Sequence, residues 1–79
     1  MNSNIYPIAA RILERRESFI RSTGKEPLRL YIGAKREYEL RKEITPDHPL
    51  YIEYWLGRNQ AFGMTVYLVC NDDDHLEVV

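Results

Sequence analysis

Cysteine occurs once in the 79 residues, at Cys70, so no internal disulfide is available. Small secreted domains usually depend on several, and a reducing, cytoplasmic setting is the expectation. Glycine and proline are sparse at four each, which excludes collagen-like and low-complexity chains. Long apolar runs are missing as well. The longest, around Phe62 to Cys70, is interrupted by Gly63 and Thr65, and spanning a bilayer takes roughly 20 residues. Met1, Asn2, Ser3 and Asn4 provide no basic n-region, and Arg11, Glu14, Arg15 and Arg16 soon break the apolar positions that follow. No secretory signal is expected.

Chemical signatures are equally scarce. There is no glycine-rich phosphate loop, no Gly-x-Ser-x-Gly elbow, no His-Glu-x-x-His helix and no paired cysteine motif. Asp72, Asp73, Asp74 and His75 come nearest to a metal site. They lack the alternating acids, glycine and distant glutamate of a calcium loop, so a solvated turn is the expectation, with no metal and no cofactor. Imidazole as a side chain ordinarily titrates near neutrality, as general acids and bases must, which makes His48 and His75 the acid/base candidates. His48 stands between Asp47 and Pro49, and His75 follows a turn, positions suited to surface or hydrogen-bonding roles. Cys70 is followed by the acidic run at 72–74, without the basic neighbours that activate a nucleophilic thiol. No catalytic residue is assigned, and a small hydrolase or nuclease using either histidine stays a minor alternative.

What is present is the make-up of one small globular domain: 44% apolar and 29% charged residues. A chain this size makes a single domain over 1–79, with 1–4 as a flexible lead. It buries only a little over about 60% of its unfolded surface, enough for one small core. Net charge is −1, but unevenly distributed. Residues 1–42 hold ten Lys or Arg and five Glu, and residues 43–79 hold Arg58 against seven acids, so the halves carry +5 and −6. Such a division suits complementary surfaces, within one fold or between copies of it.

Apolar residues from Ile5 to Ser22 recur at three- and four-residue spacing, which predicts an amphipathic helix closed by Gly24 and Pro27. Residues 28–32 alternate strictly, so Leu28, Leu30 and Ile32 should face the helix while Arg29 and Tyr31 face outward. Ala34 to Ile44 predicts a second, shorter helix with Tyr38, Leu40 and Ile44 turned inward. Residues 50–56 alternate and read as a strand, although Asp47 and Pro49 could equally open a helix. A turn at 57–60 would fold that strand back on Phe62 to Val69, with Phe62, Met64, Val66 and Leu68 on one face. After the turn at 71–74, Leu76 to Val79 would complete an antiparallel meander.

The element order predicts an α+β fold of two layers, two helices packed on one face of a small, mainly antiparallel sheet of three or four strands. Its open face would then display Tyr31, Tyr51, Trp55 and Tyr67, more aromatic surface than solvation requires. These four are the candidate partner-binding residues, for another protein or a second copy in a homodimer. Arg11, Arg15 and Arg16 on the first helix are the candidate phosphate contacts of an alternative, nucleic-acid-binding reading, interrupted by Glu14 and Glu17.

Leu30-Tyr31-Ile32-Gly33, the following Tyr38 and Leu40, and Phe62-Gly63-Met64-Thr65-Val66-Tyr67-Leu68-Val69 with His75-Leu76-Glu77-Val78 resemble small uncharacterised proteins encoded by bacteriophages and prophages. The resemblance covers about residues 24–79. It implies a phage or prophage origin, and no activity or site residue.

Overall fold

A computed structural model describes residues 7–48, 50, 51, 54 and 59–79. The expected lead at 1–4 and Trp55 lie outside them. Helix α1 (Pro7–Thr23) begins on a proline, which a first turn tolerates because its amide would lack an intrahelical acceptor in any case. Ile8, Ala9 and Ile12 are buried, and Arg11, Glu14, Arg15, Glu17 and Arg21 form the wet face. The helix ends at Gly24, whose φ of +74° favours glycine, with its amide donating to the Ile20 carbonyl at 2.8 Å.

Strand β1 (Arg29–Gly33) leads directly into α2 (Ala34–Glu43). Three strands follow: β2 (Gln60–Ala61), β3 (Met64–Val69) and β4 (Leu76–Val78). The sheet order is β2-β3-β1-β4. Strand β1 pairs in parallel with β3, Tyr31 opposite Tyr67, and antiparallel with β4, Tyr31 opposite Glu77. The pairing of β2 with β3 is also antiparallel. This is the α+β sheet of four mostly antiparallel strands that the element order predicts, with one departure. Strand β4 does not lie beside β3; the connection from β3 crosses the end of β1 and places β4 on its far edge. Parallel pairing of β1 with β3 needs a long crossover, and residues 34–59, including α2, supply it.

The core joins Ile8 and Ile12 of α1, Leu30 and Ile32 of β1, Leu40 and Ile44 of α2 and its C-cap, and Met64 and Val66 of β3. Leu50, Tyr54, Ala61 and Leu76 complete it. Tyr38 corrects an expectation: it is exposed, with Lys42 Nζ 5.1 Å above its ring. Residues two apart on a helix diverge by about 200°, so Tyr38 cannot share the inward face of Leu40. Leu28 and Leu68, expected to face the helices, are exposed: Leu28 lies just before β1, and Leu68 is uncovered although Ile32 beside it on β1 is buried.

The turn before β3 also differs from expectation. Gln60 pairs with Thr65 and Ala61 with Met64, leaving Phe62 and Gly63 as a two-residue hairpin loop. Both have positive φ, +51° and +84°, as the favoured tight hairpin turn requires. Phe62 is therefore a turn residue, outside the strand face it was expected to share. Leu50 lies in a turn and Tyr51 and Tyr54 are helical, which corrects the strand reading at these positions; the rest of 50–56 lies outside the described residues. The Tyr54 amide donates to the Leu50 carbonyl at 2.9 Å, closing a helical turn. The helix-opening signals at Asp47 and Pro49 outweigh the period-two alternation here.

Two longer-range contacts fix the layers. Glu43 at the end of α2 accepts the amides of Ile8 and Ala9, at 2.6 and 3.2 Å, and so caps α1 across 35 and 34 residues of sequence. An anionic acceptor there satisfies orphan donors and complements the helix dipole. At the other junction, the Asp73 carbonyl accepts the Lys35 and Arg36 amides at 3.2 and 3.3 Å, and the Gly33 amide donates to the His75 carbonyl at 2.9 Å. The acidic turn therefore lies directly over the β1–α2 corner.

Candidate functional site

The alternation of β1 sends Leu30 and Ile32 into the core, so Arg29 and Tyr31 project from the opposite, uncovered face. The parallel register sets Tyr67 beside Tyr31, and their rings stack with centroids 5.4 Å apart and planes 26° from parallel. Tyr67 is 44% exposed. Around the pair stand Thr65 and Arg29 toward one end of the strands and Glu77 across β4. The His75 ring lies between two carboxylates, with Nε2 2.9 Å from Glu77 Oε1 and Nδ1 3.5 Å from Asp72 Oδ2. Beyond it the Asp72 carboxylate accepts the Asp74 amide at 3.2 Å, shaping the exposed acidic turn.

Two of the four expected partner-binding residues are thus brought together. Tyr51 is not with them: it is half-buried against the core, because its segment winds into a helical turn and contributes no strand to the sheet. Trp55 lies outside the described residues. Among the expected phosphate contacts, Arg11 and Arg15 are one helical turn apart and line a groove between α1 and β4. Arg16, one residue and about 100° further round, turns toward the protein instead, with Nη2 3.6 Å from Glu26 and its side chain only 23% exposed. The three arginines do not make one stripe.

Cys70 is free and exposed, and among the described residues no group of three acidic, cysteine or histidine side chains could hold a metal. Of the two roles expected for His48, surface or hydrogen-bonding, the second holds: the ring is buried, and Nδ1 accepts the Leu50 amide at 3.0 Å and helps form the turn that follows. That acceptor role leaves the ring proton on Nε2. Burial pushes the His48 pKa below its ordinary value, opposed by the nearby Glu43 charge. Sequence reasoning also assigns nothing to a cluster at the other end of α2. The Tyr54 hydroxyl donates to Glu37, and Arg41 donates to the same carboxylate. Burial first, and then the bond to Glu37, raise the Tyr54 pKa, so the phenol remains a neutral donor. The i, i+4 spacing of Glu37 and Arg41 is the sequence signal that could have found half of this cluster.

The lowered His48 pKa sets the sign of a pH effect. Near neutrality both folded and unfolded chains hold this ring neutral, and below about pH 6.5 the unfolded chain takes up the proton first. The folded state loses relative stability as pH falls below about 6.5, until the lowered folded pKa is passed. Thermal melts of the parent and His48→Gln across this window check it. The expected result is a shallower pH dependence for the variant, and parallel curves would show that His48 does not titrate differently on folding.

Among the described residues no helix is long and apolar enough to cross a membrane. No protein-family model, curated protein or solved structure matches this chain.

Proposed function

We propose that this chain is a small non-enzymatic interaction module that docks a protein partner on the open face of its sheet. The observation that carries the reading is the stacked Tyr31–Tyr67 pair, partly exposed at the centre of the two middle strands, on the face the helices leave bare. Rigid aromatic side chains offer large contact area at small cost in conformational entropy, which is why they dominate interface hot spots.

The charges around the pair favour a protein over nucleic acid. Glu77 stands next to Tyr31, and Asp72 to Asp74 follow at the same end of the sheet, whereas Arg11 and Arg15 belong to the helical layer on the other side. A stacking platform for bases needs cations beside it to follow the phosphates, and here Arg29 is matched by the neighbouring carboxylates of Glu77 and the acidic turn. The opposite charge of the two halves of the chain makes a second copy the first partner to test.

Light scattering at high micromolar concentration is expected to show self-association, weakened on the order of tenfold or more in Tyr67→Ala. A parent that stays monomeric removes the homodimer. Crosslinked partners captured equally by the parent and by the Tyr31→Ala, Tyr67→Ala double variant would remove the surface itself. Salt-sensitive binding of labelled single-stranded RNA, lost on replacing Arg11 and Arg15, would favour the nucleic-acid alternative instead.

A further inference from the structure

Strand β4 is an edge of the sheet, and its outer side is unspent. Arg29 and Val79 exchange both backbone bonds, at 2.9 and 3.1 Å, and Gly33 donates to His75 at 2.9 Å. Glu77, opposite Tyr31, falls on the same inward phase. The alternation of an antiparallel ladder therefore points the amides and carbonyls of Leu76 and Val78 away from β1. No partner among the described residues takes them. Alongside runs a groove of about 410 Å³, walled by Arg11, Glu14, Arg15 and Phe19 of α1 and by Glu77 and Val78 of β4.

We infer that this edge is a strand-addition site for an extended peptide of another protein, one whose every second residue, all on one face of the strand, is apolar or acidic. An added strand would take the Leu76 and Val78 backbone bonds, and every second side chain would face α1. There Phe19 and Val78 provide apolar contact. Arg11 and Arg15 are exposed and form no ion pair among the described residues; of the two carboxylates in the same wall Glu77 is engaged by His75, so Glu14 offsets only one of the arginines and carboxylates on the incoming strand are favoured. The same edge does not suit a second copy in the register centred on Glu77. That pairing sets Glu77 against its own equivalent at a Cα separation of about 4.5 Å, and like charges directly opposed are destabilising.

This site is separate from the Tyr31–Tyr67 face, so the two readings can fail independently. The test is selection from a displayed library of random linear peptides against the whole chain, followed by amide chemical-shift mapping with the best binder. Enrichment of peptides carrying apolar and acidic residues at i, i+2 spacing is expected, with the largest shifts at Leu76 to Val78. Val78→Pro removes one outward amide while an edge position tolerates the ring, and roughly tenfold weaker binding is expected. Arg11→Glu with Arg15→Glu, both exposed on α1, should weaken binding without disturbing the fold, and Tyr67→Ala should leave it unchanged. No enrichment over an unrelated protein, binders that ignore both the Val78 and arginine variants, or a dimer that joins through β4 would each overturn the inference.

Discussion

Gly33→Ala is expected to destabilise the protein by about 3 kcal/mol, at the upper end of what overpacking a close-fitted site costs. A Cβ at this position would lie 2.1 Å from the Asp72 carbonyl oxygen and 2.5 Å from the Asp73 carbonyl carbon and oxygen. All three are backbone atoms, so no side-chain rotation relieves the clash. The backbone of Gly33 is itself ordinary, with φ −75° and ψ 163°; the requirement for glycine comes from the chain lying over it. The 71–75 turn cannot simply lift away, because Asp73 and His75 accept amides from the very corner it covers. Thermal denaturation should show a fall on the order of 10–20 °C. A variant melting within a few degrees of the parent would show that the turn yields easily and that its hydrogen bonds there count for little.

Leu30→Ala should cost about as much for a different reason. Leu30 is fully buried on the central strand β1, in one cluster with Ile12, Leu40 and Met64. Truncation loses transfer free energy and leaves a cavity, typically about 2–5 kcal/mol. Leu68→Ala is the internal control. Leu68 is in phase with the buried Met64 and Val66 of β3, yet it is 57% exposed, and its replacement should change stability by no more than about 0.5 kcal/mol. Urea denaturation of the two variants measures the contrast. Equal losses would mean that Leu68 is covered in solution.

These two leucines mark how far the fold was legible. Alternation correctly assigns Leu30, Ile32, Met64 and Val66 to the core, and Tyr31 and Tyr67 to the opposite face, because strand pleat is a local property. It carries no information about which in-phase positions the rest of the chain covers, and so it treats Leu28 and Leu68 like their buried neighbours. Register is non-local as well. Nothing in the composition of 71–74 says that this turn passes over Gly33, and a hairpin from β3 to β4 is the simpler reading of the same residues.

The candidate site was half legible for the same reason. Tyr31 and Tyr67 lie on strands with unambiguous alternation, and their adjacency follows once β1 and β3 pair. Tyr51 lies on a segment where apolar alternation and helix-opening residues coexist, and tertiary packing resolved the conflict toward a helical turn. For His48 the flanking polar residues and proline mark a loop and leave a surface and a hydrogen-bonding role equally open; the ring takes the second, inside, where it accepts the Leu50 amide. Glu37, Tyr54 and Arg41 meet only after the crossover is folded, and only the Glu37–Arg41 spacing foreshadows any part of that meeting.

The Glu43 contact with the start of α1 has a kinetic implication. An isolated α1 peptide lacks this anion at its first turn, so it should be less helical alone than within the intact chain. The acceptor arrives only when β1 and α2 have docked, making completion of the first helix a late event that depends on residues synthesised after it. Stopped-flow measurements on Glu43→Gln are therefore expected to show faster unfolding with nearly unchanged refolding, the pattern of an interaction absent from the rate-limiting barrier.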